Sequence, residues 1–211
     1  FANGDPEEGV MVSRALAVRD SALLIAADGG LRVANQYGVQ PQIIIGDMDS
    51  VDAEALRTHE ESGVEILRYP AEKDETDLEL ALLLAVERGA GWVRILGAYG
   101  GRFDQVLANV YLLALPQLEN VDVALVAGSQ IIRLLRPGET HLQGQPGDTL
   151  SLVPISSDVA GITTTNLKYP LRNETLHFGP ARGISNVMLA EDVTVRIQQG
   201  LLVCVHTEGR A

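Results

Sequence analysis

The 211-residue sequence contains a single cysteine and few aromatic residues, which make up 4% of the chain. Cys204 has no partner for an internal disulfide, so we expect a fold without disulfides and a reducing, cytoplasmic location. No apolar run approaches the roughly 20 residues of a membrane span, so we expect no membrane association. Basic residues are also scarce, because 16 Lys and Arg stand against 28 Asp and Glu. Without a Lys/Arg stripe, binding to nucleic acid is not expected.

Several familiar nucleotide and metal motifs are missing as well. The sequence has no P-loop, no G-x-G-x-x-G fingerprint, no H-E-x-x-H and no C-x-x-C. Its four histidines are scattered without a ligand spacing. With 46% hydrophobic and 21% charged residues, the chain is nevertheless typical of a globular protein of one or two domains. A functional site must therefore be built from other residue types.

The first part of the chain alternates between strand-like and helix-like segments. Short apolar runs predict strands, and apolar residues between them recur at helical spacing, as they do from Leu78 to Val86. This alternation predicts an α/β domain over residues 1–128, with a Rossmann-like, mostly parallel sheet flanked by helices. Such sheets bind ligands at the C-terminal ends of their strands. The predicted strands are Ala22–Ala27, Gln42–Ile45, Val64–Tyr69, Trp92–Leu96 and Val121–Ala127.

After about Gly128, strand-length segments separated by turns replace the helices. This pattern predicts a smaller all-β sandwich over residues 129–211. The predicted strands are Ile131–Leu135, Thr149–Val153, Val159–Thr164, Val193–Ile197 and Leu201–Val205. No long linker separates the two parts, so we expect the boundary at a short connection near Gly128–Gln130.

The densest candidate for chemistry is Gly46–Ser50, directly after an apolar run. Asp47 and Asp49 are two residues apart, so in extended backbone both carboxylates point to one side. Two carboxylates about 4 Å apart repel by roughly 4 kcal/mol at an effective dielectric near 20, and a hard cation such as Mg²⁺ removes that repulsion. Taken alone, the spacing favours the alternative, in which these aspartates cap a helix that starts near Asp52.

The segment Lys73–Asp77 follows another predicted strand and opens a helix. Thr76 is the expected N-cap, and Asp77 lies in the first turn, where the helix dipole favours negative charge. Capping explains Asp77 but not Lys73 and Asp74 beside it. A lysine, a helix N-terminus and a further acid at the ligand end of a sheet indicate a site for phosphate and metal.

Two more turns after predicted strands combine glycine with charged residues. Asp28 and Gly29 belong to A-D-G-G, and Arg102 and Asp104 belong to G-G-R-F-D. Glycine lets the backbone approach an anion closely and arginine binds phosphate with two N–H groups, although each segment alone is equally a tight turn. Acid-rich or glycine-rich turns thus follow four separate strands at the ligand end. The set predicts a site for a nucleotide and a metal.

The ordered set of motifs resembles the thiamin pyrophosphokinase family. It consists of ADGG, GDMDS, KDETD and GGRFD, then GITTTNLKYPL at residues 161–171 and GISN at residues 183–186, and it covers nearly the whole chain. The resemblance implies an α/β nucleotide-binding domain followed by a β-sandwich that binds thiamin, in a homodimer with active sites between subunits. It implies Mg²⁺-dependent transfer of pyrophosphate from ATP to the hydroxyl of thiamin, which leaves AMP.

The resemblance also implies roles for individual residues. The Mg²⁺ carboxylates are then Asp47, Asp49 and Asp77. The surroundings of the nucleotide and its phosphates are Asp28, Gly29, Lys73, Thr76 and Arg102. The residues of the loop on the thiamin side are Ser185 and Asn186. Without the resemblance, the sequence of this segment predicts only a plain β-turn. Two residues, Asp74 and Asp104, are candidates for the acceptor of the hydroxyl proton, and the sequence does not distinguish them.

Three other interpretations remain open. In the first, the chain transfers pyrophosphate to a different alcohol, for instance a hydroxymethylpterin. Alternatively the chain binds nucleotide or thiamin without catalysis, which fits Gln105 at a position where the family usually has histidine. In the last interpretation the acids are only helix caps, and it ranks lowest because caps require no lysine, no arginine and no paired acids on successive turns.

Overall fold

The computed structural model describes residues 1–209 of the chain. These residues form two compact units, one over residues 1–128 and the other from Ser129 onward. The first unit is mixed α/β and the second is almost entirely antiparallel β, which confirms the predicted fold class. Every helix in the described part of the chain is too short or too polar to span a bilayer.

The strands of the first unit pair in parallel, as the alternation of apolar runs and helices predicts. The order β1-β2-β3 joins Ile25–Ala27, Ile43–Gly46 and Glu65–Arg68, and β4 (Trp92–Leu96) pairs with β5 (Asp122–Ala127). β2 is buried over its whole length, because a parallel strand covered on both faces has apolar side chains on both. β1 begins three residues later than the apolar run at Ala22.

The segment Phe1–Asp5 links these two groups of strands through backbone hydrogen bonds. The carbonyl of Phe1 accepts from the Ala27 amide at 2.9 Å, and the Ala2 amide donates to the Leu96 carbonyl at 2.8 Å. The segment therefore lies between β1 and β4. It brings the polar residues that follow Ala2 to the C-terminal ends of the strands.

Helices follow each of the first four strands. In chain order the helices are α1 (Val10–Ala17), α2 (Gly30–Gln36), α3 (Ala53–Glu61), α4 (Asp77–Glu87) and α5 (Phe103–Leu112), with 3₁₀ turns at Arg19–Ser21 and Pro116–Leu118. Asp52 caps α3, and its carboxylate accepts from two backbone amides at 3.0 Å. Thr76 caps α4, and its hydroxyl accepts from the Glu79 amide at 3.2 Å. The predicted cap Thr76 is confirmed, whereas Asp52 takes the capping position of α3 that the alternative interpretation gave to Asp47 and Asp49.

The second unit contains two groups of antiparallel strands with an apolar core. Its strands are β6 (Gln130–Leu135), β7 (Gly138–Gln143), β8 (Thr149–Pro154), β9 (Val159–Thr164), β10 (Arg172–Leu176), β11 (Asn186–Val187), β12 (Asp192–Ile197) and β13 (Leu202–Thr207). The orders are β11-β8-β13-β6 and β10-β9-β12-β7. The sequence did not predict β7 and β10, because they lie at the two edges of one group and carry mostly polar side chains.

Candidate functional site

A cavity of about 460 Å³ opens at the C-terminal ends of the strands in the first unit. Its walls come from the segments that follow β1, β2, β3 and β4, together with the N-terminal segment. This is the location that the sequence analysis predicts from the four motif-bearing turns. The acidic and basic residues that line the cavity are Asp5, Asp28, Asp47, Asp49, Lys73, Glu75, Asp77 and Arg102.

Three of these carboxylates approach one another closely. Asp28, Asp47 and Asp49 each offer one oxygen, and the three oxygens lie within 4.8 Å of one another. Asp49 donates its backbone amide to Asp47 Oδ1 at 3.1 Å, which holds the D-x-D turn together. Since Asp52 caps α3, the helix-capping interpretation is wrong for Asp47 and Asp49.

Asp28 is the buried member of this acidic trio. It is 5% exposed, and its buried Oδ1 has no hydrogen-bond partner. Its backbone lies in the left-handed region, with φ at +44°. A buried charged group without a partner is costly, so such an oxygen is retained where a cation or ligand compensates for it.

Gly46 makes the approach of the acids possible. A Cβ at this position would lie 2.9 Å from Cβ of Asp28 and 3.0 Å from Oδ1 of Asp77. The residue also has φ at +149°, a region that other residues rarely adopt. The glycine at the start of G-D-M-D-S is therefore required by packing as well as by backbone conformation.

Asp77 has a different partner from the trio. Its Oδ1 lies 3.0 Å from Nζ of Lys73, and the same ammonium lies 3.8 Å from Oδ2 of Asp47. Burial raises the pKa of Asp77, and the charges of Asp47 and Asp28 add to this effect against the opposing influence of Lys73. Burial lowers the pKa of Lys73, but the ion pair with Asp77 and the charges of Asp47 and Asp28 outweigh it and raise the pKa overall.

Arg102 lines the cavity and forms an exposed ion pair with Asp104. Its Nη2 lies 2.5 Å from Oδ2 of Asp104, and this hydrogen bond holds the pKa of Asp104 below its ordinary value. Asp104 itself does not line the cavity, and neither does Asp74, which is exposed. The structure thus brings neither predicted proton acceptor to the cavity wall.

Gly29 does not line the main cavity. A Cβ there would lie 2.3 Å from the side-chain amide of Asn3, so a larger residue would displace that side chain of the N-terminal segment. Gly29 lines a neighbouring cavity of about 400 Å³, together with Arg32 and Asp52. Ser50 borders both cavities.

Several polar residues of the main cavity were not predicted from the sequence. Asn3 and Asp5 line it because the N-terminal segment lies between two strands. Asn109 also lines it, and its side-chain amide donates to the Ala98 carbonyl at 2.8 Å. Asn109 interrupts the apolar stripe of α5, and this polar residue among apolar ones was a sequence signal that could have predicted it. The position of Asn3 and Asp5 depends on long-range pairing, for which the sequence gives no local sign.

Ser185 and Asn186 belong to the second unit. Asn186 accepts from the Tyr169 amide at 3.0 Å and donates to the Tyr169 carbonyl at 2.8 Å. Ser185 has φ at +58°, and its amide donates to the Ser151 hydroxyl at 3.0 Å. These bonds fix the loop that contains G-I-S-N against its neighbours.

A second cavity of the first unit has a different chemistry. It measures about 320 Å³ and lies between the beginnings of β1 and β4, away from the ligand end of the strands. Its charged lining residues are Arg19, Arg88 and Arg94, and no acidic residue lines it. It lacks the carboxylates that the metal chemistry requires.

Comparison with known families identifies both units. The family model for the catalytic domain of thiamin pyrophosphokinase matches residues 15–125, and the model for its vitamin B1 binding domain matches residues 139–202. A thiamine pyrophosphokinase of Bacillus subtilis is 31% identical over 189 residues, which cover 89% of this chain and 88% of that protein. A rice relative, thiamine pyrophosphokinase 1, is 30% identical and is matched over 82% of this chain and 67% of its own.

Solved structures give the same result. The crystal structure of the Bacillus subtilis thiamine pyrophosphokinase aligns with a TM-score of 0.83 at 28% identity, over 98% of this chain and 97% of that one. The yeast thiamin pyrophosphokinase structure aligns with a TM-score of 0.79 at 15% identity, over 98% and 84% of the two chains. The second comparison supports the fold alone.

Proposed function

The chain belongs to the thiamin pyrophosphokinase family, and we propose that it transfers the pyrophosphoryl group of ATP to the primary hydroxyl of thiamin. The enzyme is an ATP-dependent diphosphotransferase, and AMP is the second product. The observation that carries the proposal is the acidic trio beside Lys73 and Arg102 in one cavity. Carboxylates with two cationic side chains are the groups that a metal–triphosphate complex requires.

The acidic trio fits a magnesium ion. Its donors are hard carboxylate oxygens, and the buried Oδ1 of Asp28 has no other partner. We therefore add Asp28 to Asp47 and Asp49 as proposed ligands and keep Asp77 as a fourth carboxylate beside them. When bound, Mg²⁺ would neutralise the charge that develops on the triphosphate.

The phosphates are proposed to lie against Lys73, Arg102 and the N-terminus of α4 behind Thr76. Arg102 is 72% exposed at its side chain and is paired with Asp104, so it exchanges one anionic partner for another when phosphate arrives. Lys73 and Arg102 neutralise the migrating group and the departing AMP. Phosphoryl transfer of this kind depends mainly on positioning and electrostatic stabilisation.

In the proposed reaction the thiamin hydroxyl oxygen bonds to the β-phosphorus of ATP. The bond between this phosphorus and the oxygen bridging to the α-phosphate breaks, and that oxygen leaves with AMP. A carboxylate accepts the hydroxyl proton, and Asp74 and Asp104 remain the proposed acceptors. The acceptor is identified by comparing Asp74→Asn with Asp104→Asn, since loss of a general base lowers kcat by about 10²–10⁴.

Thiamin is proposed to contact the second unit near Ser185 and Asn186. This unit is the one that matches the vitamin B1 binding model. Large apolar side chains are exposed in it, which is the kind of surface that the thiamin rings would cover. They are Tyr169, Phe178, Ile184 and Leu189.

A homodimer is also part of the proposal. The exposed face of α5 carries Phe103, Leu107 and Tyr111 at helical spacing, with exposures of 76%, 40% and 50%. An apolar stripe of this kind is typical of an interface with another protein. Sedimentation at micromolar concentration tests this part of the proposal, which predicts a dimer. A cytoplasmic location is proposed from the lone cysteine, and cell fractionation checks it.

The proposed activity is tested by measuring AMP release from ATP and Mg²⁺ with and without thiamin. We expect thiamin-dependent AMP and a product with the mass of thiamin diphosphate. Asp49→Ala should abolish the reaction with the fold intact. Asp52→Ala is the matched control, which loses about 1 kcal/mol of stability through its helix cap but keeps activity. AMP release with a pterin alcohol and none with thiamin would contradict the proposed acceptor.

A further inference from the structure

Lys73 occupies an unusual position for a lysine. The chain has only two lysines, and the other is Lys168 in the second unit. The ammonium of Lys73 lies 3.0 Å from Oδ1 of Asp77 and 3.8 Å from Oδ2 of Asp47, and its side chain is only 11% exposed. It also donates to the Pro70 carbonyl at 3.1 Å. Lys73 is therefore held among the acids and does not extend into solvent.

Asp47 belongs to two arrangements at once. One of its oxygens lies in the acidic trio, and its Oδ2 faces the ammonium. A divalent cation in the trio and an ammonium beside the same carboxylate repel each other. Unless an anion draws the ammonium away, each weakens the binding of the other.

We propose that Lys73 makes the site selective for a metal–nucleotide complex over the free metal ion. In the absence of nucleotide, the ammonium partly neutralises the acids and lowers their affinity for a free divalent cation. The phosphates of a metal–nucleotide complex attract the ammonium away from Asp47 and Asp77, so the complex binds without that repulsion. A lysine suits this exchange because its charge is compact and its four-carbon chain is flexible. The inference rests on the proposed metal site.

The experiment compares two ligands on the same variants. One ligand is Mn²⁺ alone, titrated by electron paramagnetic resonance without nucleotide. The other is a preformed complex of Mn²⁺ with an ATP analogue whose α–β bridge is a methylene group, titrated by calorimetry. The variants are wild type, Lys73→Gln, Lys73→Arg and, as the matched control, Lys168→Gln.

Lys73→Gln is expected to shift the two affinities in opposite directions. Free Mn²⁺ should bind about tenfold more tightly, equal to about 1.4 kcal/mol, because the competing charge is gone. The complex should bind about tenfold more weakly, because its phosphates lose their partner. Lys73→Arg keeps the charge and should leave the affinity for free Mn²⁺ within about threefold of wild type, and Lys168→Gln should change neither affinity.

If Lys73 had a purely structural role, Lys73→Gln would lower the affinity for free Mn²⁺ and for the complex together. That result, or an unchanged affinity for free Mn²⁺ in Lys73→Gln, would overturn the inference and leave the proposed function in place if wild type still binds the complex. Failure of wild type to bind the complex would overturn the proposed metal site, and the inference with it.

Discussion

Two buried aspartates, one in each unit, differ in what surrounds them. Asp148 is 3% exposed, and its oxygens accept from the amides of Gly209 at 2.8 Å and Gln145 at 2.9 Å and lie 2.7 Å from the imidazole of His206. Asp28 is 5% exposed, and its Oδ1 has no such partner. The comparison separates a carboxylate whose partners lie within the fold from one that we propose binds a cation.

The largest expected effect is the difference in catalytic activity between variants of the two aspartates. Asp28→Asn should lower thiamin-dependent AMP formation by about 10³-fold, equal to about 4 kcal/mol of transition-state stabilisation. The reason is that the amide keeps the shape but removes the charge that the proposed cation requires. Asp148→Asn, corrected for the folded fraction, should retain activity within about twofold. Comparable activity losses in both variants would remove the distinction.

A second prediction concerns the glycines that lie against the two aspartates. A Cβ on Gly46 would lie 2.9 Å from Cβ of Asp28, and a Cβ on Gly144 would lie 2.9 Å from Oδ2 of Asp148. Gly46→Ala should cost about 2–3 kcal/mol of stability through clash and strain, and should also lower activity. Gly144→Ala should destabilise the protein without changing kcat per folded molecule. Chemical denaturation and steady-state kinetics measure the two effects, and normal kinetics in Gly46→Ala would contradict the role of that glycine.

A third prediction concerns stability. Asp148→Asn should lower the free energy of unfolding by about 2 kcal/mol, because it removes a charged acceptor from buried hydrogen bonds. Asp28→Asn should leave stability unchanged or raise it, since it replaces a buried carboxylate whose Oδ1 has no hydrogen-bond partner in the fold. Urea denaturation at neutral pH compares them. A larger loss of stability in Asp28→Asn than in Asp148→Asn would show that Asp28 is the structural residue.

The smallest expected effect is the pH dependence of stability. Burial opposes ionisation of Asp148, but its hydrogen bonds to Gly209, Gln145 and His206 prevail and hold its pKa below the ordinary 3.8. Its contribution is therefore present above pH 3.8 and is lost as the pH falls through the lowered value. Burial raises the pKa of Asp77, so its contribution favours the folded state at low pH and declines as the pH rises above 3.8. The measurement is the free energy of unfolding of wild type, Asp148→Asn and Asp77→Asn between pH 3 and 6. The difference between wild type and Asp148→Asn should rise with pH, and the difference between wild type and Asp77→Asn should fall. Slopes of the same sign would contradict this assignment.

The sequence was sufficient to predict the fold class and the edge of the sheet where the candidate cavity opens. Apolar runs and helical spacing located β1 to β5 and α4, and the turns after the strands contained Asp47, Lys73 and Arg102. These features are local, so a single sequence contains them. The cap of α4, Thr76, was predicted for the same reason.

Long-range features were not predictable. Whether Asp28 is buried without a partner depends on the packing of separate segments around it, and A-D-G-G alone is equally a tight turn. The ion pair between Lys73 and Asp77 and the pair between Arg102 and Asp104 depend on side-chain rotamers. The polar edge strands β7 and β10 form because neighbouring strands offer hydrogen bonds, not because their own pattern requires it.

The most direct test of the central claim is a crystal structure with Mn²⁺ and the methylene ATP analogue, using the anomalous signal of manganese. The account predicts a manganese peak within bonding distance of Oδ1 of Asp28 and of the carboxylates of Asp47 and Asp49, with the phosphates facing Lys73 and Arg102. A manganese–nucleotide complex bound elsewhere, with Oδ1 of Asp28 still lacking a partner, would contradict it.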